Sequence, residues 1–330
     1  MALVRGLKCV GGALAALVIS GVAIQGSVAQ AQSYPDRAIT FVVPFNPGGG
    51  TDPIARQYAG QLSKVLGVDV NVINKAGGSG SIGTAQVVTA KPDGYTIGIT
   101  TNSALTYQPW INDGLAWKTP DDYQPIVKLD DLPAYLAIRS DAPWKSWDEL
   151  MEDVKKNPGK IRFSTAGAGT LVDLIVQQIN NNHGVKIVTV PFTGGSGEAM
   201  VALLGGRVEG YIGYGAAIVG QREAGKVKVV AGFQPGKSED FPEAVSVVDM
   251  GLKVTLATAN YVIAPKGLPP EVLKKLDAAS QEVVRSPEFI AFLRKHGFLP
   301  DPKGPDATRA ELVAYQKEFG ELVKFLAKAN

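Results

Sequence analysis

Residues 39–53 read Ile-Thr-Phe-Val-Val-Pro-Phe-Asn-Pro-Gly-Gly-Gly-Thr-Asp-Pro, which predicts a buried strand, a glycine loop and the start of a helix. Asp52 is a strong N-cap residue, and Pro53 suits the first helical position. The glycines at 48–50 leave backbone N–H groups unobstructed, and a helix N-terminus with free amides is an anion site. Residues 45–52 can therefore hold a carboxylate or phosphate without Lys or Arg. The alternative is a plain capped helix after a glycine turn.

The rest of the chain repeats this alternation of short apolar runs and amphipathic helical patterns as far as residue 232. Three successive helices are predicted from Pro269 to the C-terminus. The alternation predicts an α/β fold with two lobes, each a mostly parallel sheet flanked by helices. The turn-rich stretches near 130–133 and 253–260 are candidate crossings between the lobes. We expect lobe 1 to be discontinuous and the insert between the crossings to form lobe 2. The expected bounds are 32–133 plus 257–330 for lobe 1 and 134–256 for lobe 2.

The first 31 residues differ from the rest of the chain. Arg5 and Lys8 precede an apolar segment rich in small residues, and Ala29-Gln-Ala31 matches a signal-peptidase site. We interpret residues 1–31 as a signal peptide that is cleaved after Ala31, so that the mature protein is periplasmic. The alternative is a membrane anchor, but the apolar core is short for a membrane span.

Charge and cysteine usage exclude several classes of function. The leader holds two of the 33 basic residues and no acidic ones, so residues 32–330 carry 31 basic and 31 acidic side chains. A balanced chain of this kind has no electrostatic footprint for nucleic acid. The single cysteine, Cys9, lies in the leader, which excludes thiol catalysis and cysteine-based zinc sites in the mature chain. His183 and His296 lack the spacing of a metal pair. We therefore expect no metal and no cofactor.

No motif indicates catalysis. Gly78-Ser-Gly-Ser-Ile-Gly83 matches the dinucleotide pattern, but no acidic residue ends a following strand about 20 residues on, as ribose binding needs. Gly194-Gly-Ser-Gly197 is spaced wrongly for a nucleophile elbow. Asp130 and Asp131 are adjacent, so their side chains point apart on a strand, and we interpret both as solvated. We therefore expect that the protein is not an enzyme.

Two further loops resemble the first in physical type. Residues 163–170 read Phe-Ser-Thr-Ala-Gly-Ala-Gly-Thr, and the hydroxyls of Ser164 and Thr170 lie beside glycine-flanked amides. Residues 191–198 read Pro-Phe-Thr-Gly-Gly-Ser-Gly-Glu and again precede a helix. Loops of this kind that face each other across a cleft would clamp a carboxylate, but each could also be a tight capped turn. Tyr214, farther along, could line the cleft or simply pack.

Seven segments together resemble the Bug/TctC family of periplasmic binding proteins, which serve tripartite tricarboxylate transporters. The segments are residues 34–40, 43–52, 77–84, 91–96, 190–195, 204–209 and 264–269. They are spread over nearly the whole chain after the leader. The resemblance implies a Venus-flytrap fold that traps a small carboxylate: a di- or tricarboxylate, an acidic amino acid or an aromatic acid. It also implies membrane permease subunits as partners.

The resemblance implies a binding site as well. The carboxylate is expected on the loop that matches residues 45–52, with the turns matching 164–170 and 192–195 from the second lobe. Asn46 and Thr193 stand where the family usually has Ala and Lys. We expect a monomeric solute-binding protein, and a ligand-presenting sensor for a signalling receptor is the alternative. The expected ligand-binding residues are Phe45, Asn46, Pro47, Gly48, Gly49, Gly50, Asp52, Ser164, Thr165, Ala166, Gly167, Thr170, Thr193, Gly194 and Tyr214.

Overall fold

The computed structural model describes residues 34–253 and 258–329. The interpreted signal peptide lies outside the described residues, and so does part of the second expected crossing. The described chain forms twelve strands and nine α-helices. The strands are β1 (Ile39–Val43), β2 (Val70–Asn74), β3 (Thr96–Thr101), β4 (Tyr123–Leu132), β5 (Ala134–Arg139), β6 (Arg162–Thr165), β7 (Val188–Pro191), β8 (Gly210–Tyr214), β9 (Val227–Gly232), β10 (Val245–Ser246), β11 (Thr258–Pro265) and β12 (Leu299–Lys303). The helices are α1 (Thr51–Leu66), α2 (Ser81–Val88), α3 (Trp147–Lys156), α4 (Leu171–His183), α5 (Ser196–Leu204), α6 (Gly215–Glu223), α7 (Pro270–Val284), α8 (Pro287–Lys295) and α9 (Pro305–Ala329).

The strands form two six-stranded sheets flanked by helices. The first sheet has the order β12-β4-β11-β3-β1-β2, and the second has the order β10-β9-β5-β8-β6-β7. The chain passes from the first sheet to the second at Pro133, the single residue between β4 and β5. It returns to the first sheet before β11. The predicted two-lobed α/β fold is thus confirmed.

Both sheets are mixed, which corrects the expectation of mostly parallel sheets. β1 is parallel to β2 and β3, and β6 is parallel to β7 and β8. β11 is antiparallel to β3 and β4, while β5 is antiparallel to β8 and β9. β5 and β11 are the strands next to the crossings, so they enter their sheets in the opposite direction. A buried apolar run looks the same in either direction, so the sequence pattern could not reveal this.

β4 is a ten-residue strand whose last residues, 130–132, lie in the stretch predicted to be turn-rich. Asp130 lies in this strand and is fully buried, which corrects its interpretation as a solvated carboxylate. Asn260 Nδ2 donates to Asp130 Oδ1 at 2.9 Å. The side chain of Asp131 instead pairs with Lys128. The pattern was misleading because charged side chains break the apolar run that normally indicates a buried strand.

Lys128 is the centre of a buried ionic cluster that joins β4, β12 and α9. Its Nζ lies 2.6 Å from Asp131 Oδ1, 2.6 Å from Asp301 Oδ2 and 2.9 Å from Glu311 Oε1. Burial opposes the charge on Lys128, but the hydrogen bonds that its ammonium donates to the three carboxylates outweigh burial and raise its pKa. A buried charge needs such partners, so this cluster fixes α9 against the sheet.

Aromatic rings anchor α1 and α8 against the first sheet. The Tyr58 ring of α1 lies 5.5 Å from Phe41 of β1 and 6.1 Å from Phe289 of α8, centroid to centroid. The Tyr58 hydroxyl is 2.6 Å from Ser280 Oγ, so its polar atom is also satisfied. Burial of one large apolar side chain is worth about 1.5–3 kcal/mol. This packing holds the N-terminus of α1 in place at the end of β1.

Candidate functional site

The candidate site lies where the carboxyl ends of strands from both sheets meet. In the first sheet, β1 leads into the glycine loop and α1, and β3 ends at Thr101. In the second sheet, β6 leads into α4, β7 leads into α5, and β8 ends at Tyr214. Ligands of open α/β sheets bind outside the carboxyl ends of strands. The topology therefore brings five strand ends together at one place.

A cavity of about 20 Å³ lies between these loops. Its walls carry hydroxyl groups, two aromatic rings and no charged side chain. This volume holds about one water molecule, so the cavity at this size has no room for a small organic acid. The loops of the two sheets thus pack closely around the cavity. The lining residues are Phe45, Gly50, Thr51, Thr101, Ser103, Ala166, Thr170, Ser196 and Tyr214.

The start of α1 differs from the prediction. The helix begins at Thr51 with Gly50 as its N-cap, so Asp52 is not the N-cap and Pro53 is the third helical residue. The Asp52 carboxylate accepts two hydrogen bonds from Arg56, both at 3.0 Å. It also accepts the Gly48 amide at 3.1 Å, which folds the glycine loop back onto the helix. These bonds explain why Asp52 is not a cap and leave the first-turn amides of α1 without a side-chain cap.

The Asp52 carboxylate is hydrogen-bonded to other protein groups and does not line the cavity. Burial opposes its ionisation, but hydrogen bonds from Arg56, Asn74 and the Gly48 amide outweigh burial and lower its pKa. Asn74 Nδ2 donates to Asp52 Oδ1 at 2.8 Å and to the Phe45 carbonyl at 2.9 Å. The repulsion that Asp52 would exert on a bound anion is therefore largely neutralised by Arg56.

Three helix N-termini point their first turns at the cavity wall. Gly50 is the N-cap of α1 and Thr51 its first residue, Thr170 is the N-cap of α4, and Ser196 is the first residue of α5. First-turn amides have no carbonyl partner within their own helix. Each N-terminus also carries a partial positive charge of about half a unit. The arrangement can therefore stabilise an anion from both sheets without a cationic side chain.

The predicted hydroxyls of the second sheet are only partly available. Ser164, which was predicted as a ligand donor, donates its Oγ to the Ala199 carbonyl at 2.9 Å, so its hydroxyl proton is used within the core. Thr165 is fully buried and does not line the cavity. Thr170 lines the cavity, but its hydroxyl donates to the Gly167 carbonyl at 2.7 Å and caps α4. The second sheet therefore offers a ligand chiefly backbone amides and Ser196.

Other predicted residues border a separate outer groove of about 750 Å³. This outer groove runs along α5 and α6, and Val201 in it is exposed. Thr193 is exposed and lines neither the cavity nor the groove. Although the groove is larger, we favour the cavity because only the cavity combines hydroxyls with helix N-termini from both sheets. The predicted residues on the groove are Asn46, Pro47, Gly48, Gly49 and Gly194.

Phe45 and Tyr214 contribute rings to the closed site. A Cβ at Gly80 would lie 3.1 Å from Phe45 Cζ, and a Cβ at Gly195 would lie 3.2 Å from Phe45 Cδ1. The Phe45 ring is therefore enclosed by glycines from a loop of each lobe. Tyr214 donates its hydroxyl to Thr258 Oγ1 at 2.9 Å, which leaves its ring for the cavity wall. Apolar walls of this kind would exclude water from a bound acid and strengthen its hydrogen bonds.

Four lining residues were missed in the sequence analysis: Thr51, Thr101, Ser103 and Ser196. Ser196 lies in a loop that was identified, but the helix was expected to begin later. Thr101 and Ser103 follow a predicted strand, and a polar residue directly after a strand is a signal that could have found them. Thr101 Oγ1 accepts a hydrogen bond of 3.4 Å from the Ala104 backbone amide.

The sequence matches the family model described as "Tripartite tricarboxylate transporter family receptor" over residues 54–319. The chain belongs to this family of transporter receptors. A UPF0065 protein of Bordetella pertussis is 32% identical over 86% of this chain and 88% of that protein. BugT of the same organism is 31% identical over 84% of this chain and 86% of that protein. The resemblance to the Bug/TctC family that was stated from the motifs is thus confirmed.

Solved structures of similar proteins share the fold. "Structure of a periplasmic transporter" describes a protein with 30% identity and a TM-score of 0.84, covering 88% of this chain and 97% of that chain. MatC from Rhodopseudomonas palustris, solved with bound malate, has 25% identity and a TM-score of 0.82. The match covers 88% of this chain and 100% of MatC. Another R. palustris protein, solved with adipate, has 25% identity and a TM-score of 0.83. The match covers 88% of this chain and 97% of that protein. Two of these relatives are therefore described with a dicarboxylate.

The family is one of solute-binding receptors. Across residues 34–253 and 258–329, no helix combines the length and the hydrophobicity that crossing a bilayer requires.

Proposed function

We propose that this family member is a periplasmic receptor that closes its two lobes on a small dicarboxylate and delivers it to the membrane subunits of a tripartite transporter. The observation that carries the proposal is the meeting of three helix N-termini, from α1, α4 and α5, at one uncharged cavity. Helix N-termini bind anions through free amides and the helix dipole. The malate and adipate described for two relatives have the chemistry that this arrangement favours.

The proposed binding residues are those of the cavity wall. The amides of residues 50–52 would hold one carboxylate from the first sheet, and the hydroxyl of Thr101 lies at the same sheet edge. The amides at the starts of α4 and α5, with the Ser196 hydroxyl, would complete the grip from the second sheet. Each hydrogen bond to a charged acid is worth about 1.5–3 kcal/mol. Several such bonds support micromolar affinity after ordering costs are subtracted.

Closure is part of the proposed mechanism. A cavity of about 20 Å³ has no room for a four-carbon acid, so the acid must bind while the lobes are apart. The second lobe then closes over it, because only the closed state brings both sets of helix N-termini to the acid. We propose that the lobes correspond to 32–133 plus 257–330 and 134–256, in line with the membership of β4, β5 and β11 in the two sheets.

The proposed location and role follow from the same reasoning. Residues 1–31 have the pattern of a signal peptide with cleavage after Ala31, which would export the protein to the periplasm. The described site presents no acid–base pair at the cavity wall, so we propose ligand capture without catalysis. The closed form would then be recognised by membrane permease subunits of the transporter.

A thermal-shift screen of residues 32–330 tests the ligand class. Succinate, L-malate, adipate, citrate and L-aspartate are compared with matched neutral compounds such as 1,4-butanediol and succinamide. A ligand at 100 times its dissociation constant stabilises the protein by about 2.7 kcal/mol, which raises the melting temperature measurably. We expect stabilisation by dicarboxylates and none by the neutral compounds. Equal stabilisation by succinamide and succinate would contradict the proposed anion site.

The transport role needs a separate measurement. A strain that lacks this gene should lose uptake of the radiolabelled acid that shows the largest thermal shift. Complementation with the wild-type gene should restore uptake. Undiminished uptake in the deletion strain, with a lost response of gene expression to the acid, would favour the sensory alternative.

A further inference from the structure

The turn at residues 77–80, part of the glycine-rich motif in the sequence, makes a contact that ligand binding as proposed above does not use. All four of its residues have positive φ, and Ser79 at φ 54° is the one non-glycine residue with positive φ in the described chain. A serine in this conformation is strained, whereas glycine is not. The turn geometry alone therefore favours glycine at position 79, and the serine there calls for another explanation.

The Ser79 side chain reaches from the first sheet to the second. Its Oγ donates to the Ala168 carbonyl at 2.7 Å, in the loop between β6 and α4. The side chain is nearly fully buried, with 5% of the residue exposed. A Cβ at Gly167 would overlap Ser79 Oγ, so the opposite loop has room for the hydroxyl only because residue 167 is glycine.

The backbone of Ser79 is also held in place. Gln108 Nε2 donates to the Ser79 carbonyl at 2.9 Å, and Gln108 is itself buried. Gln108 follows β3 in the first sheet, so this bond fixes the turn to its own lobe. The hydroxyl is therefore presented to Ala168 by a turn that is anchored independently of the second lobe.

We infer that Ser79 is a positioning residue that stabilises the closed state and slows ligand release without touching the ligand. The inference rests on the proposed function, ligand capture between the lobes. The Ser79–Ala168 bond joins two loops that part when the lobes open, so it exists only in the closed state. A contact made in one of two states shifts the equilibrium toward that state. The strain at Ser79 is local and present in both states, so it does not oppose closure.

The test combines two variants with a control. Ser79→Gly removes the hydroxyl and the backbone strain, and Ser79→Ala removes the hydroxyl alone. Ser81→Ala is the control, because Ser81 lies two residues away and makes no cross-cleft hydrogen bond in the described chain. The residues 32–330 carry no cysteine, so Lys64→Cys on α1 and Glu152→Cys on α3 supply two exposed labelling sites, one in each lobe.

Interlobe distances are measured by double electron–electron resonance without ligand, with L-malate and with adipate. Release rates of each dicarboxylate are measured by stopped flow. We expect Ser79→Gly and Ser79→Ala to lower the closed fraction and to speed release about 2- to 10-fold, the value of one neutral hydrogen bond. The association rate should not change. The melting temperature of ligand-free Ser79→Gly should equal or exceed that of the wild type, which a merely structural serine would not allow.

The outcomes separate this inference from the proposed function. Distance distributions and release rates that are the same in wild type and Ser79→Gly would overturn the inference. Failure of both dicarboxylates to bind the wild type would contradict the proposed ligand class instead. In that case the ligand-free distances still decide the role of Ser79: a smaller closed fraction in Ser79→Gly supports it, and equal fractions overturn it.

Discussion

Asn46 Nδ2 donates a hydrogen bond of 2.6 Å to Glu198 Oε1, which joins the glycine loop after β1 to the first turn of α5. The backbone N–H of Asn46 donates to the Gly194 carbonyl at 3.2 Å, and the backbone N–H of Gly194 donates to Glu198 Oε2 at 3.3 Å. A Cβ at Gly194 would overlap both Glu198 and Asn46, so only glycine permits this contact. The position that departs from the family's usual Ala therefore ties the two lobes together.

Asn46→Ala should weaken ligand binding by about 2- to 10-fold, because it removes one hydrogen bond of about 0.5–1.5 kcal/mol that exists only in the closed state. Calorimetric titration with the acid found in the thermal-shift screen measures the change. Asn71→Ala, at the exposed position of β2, is the matched control and should bind as the wild type does. Unchanged affinity in Asn46→Ala would show that the contact does not contribute to closure.

Gly50→Val should abolish detectable binding while the protein still folds. Gly50 has φ −59°, which other residues adopt freely, and a Cβ there would lie 3.8 Å from Ser196 Oγ and Tyr214 Cδ2. A branched side chain would therefore fill the cavity and shield the first-turn amides of α1. Circular dichroism checks the fold, and calorimetry checks binding. Gly220→Ala on α6, where a Cβ meets nothing within 4 Å, is the control. Wild-type affinity in Gly50→Val would place the ligand elsewhere.

Ser196→Ala and Ser164→Ala should separate binding from stability. Ser196 lines the cavity, so its loss should reduce affinity about 10-fold and change the melting temperature little. Ser164 is fully buried and donates to the Ala199 carbonyl, so its loss should destabilise the fold by about 1–2 kcal/mol with affinity unchanged. Urea unfolding and calorimetry give the two quantities. The reverse pattern would restore Ser164 to the binding site and remove Ser196.

Asp130→Asn should flatten the pH dependence of stability. Burial raises the pKa of Asp130 to about 8, although the hydrogen bond from Asn260 opposes this rise. In the unfolded chain the carboxyl ionises near pH 4. Between about pH 4 and pH 8 the folded state therefore binds a proton that the unfolded state has lost, and stability falls as pH rises.

The asparagine variant is neutral at every pH, so it should lose this part of the slope and be more stable than the wild type at pH 8. Melting temperatures from pH 4.5 to 9 measure the effect. Asp36→Asn, which removes a carboxylate at an exposed position, is the control. An identical slope in wild type and Asp130→Asn would mean that Asp130 does not hold a proton in the folded state.

The order of apolar runs, glycine turns and helix patterns was enough to predict a two-lobed α/β fold and to identify loops that line the candidate site. Those features are local: Phe45 to Gly50 lie between a strand and a helix whatever the rest of the chain does. The unobstructed backbone N–H groups of the glycine loop could also be predicted, because they depend on local sequence alone. Motif order likewise indicated the family.

Which groups face the cavity was decided by tertiary packing. Ser164 and Ser196 look equally suitable in the sequence, yet one donates into the core and the other lines the cavity. Asp52 looked like a helix cap, but Arg56 and Asn74 hold its carboxylate. A side chain's hydrogen-bond partner is set by strand register and by the contact between lobes, and both depend on residues far apart in the chain.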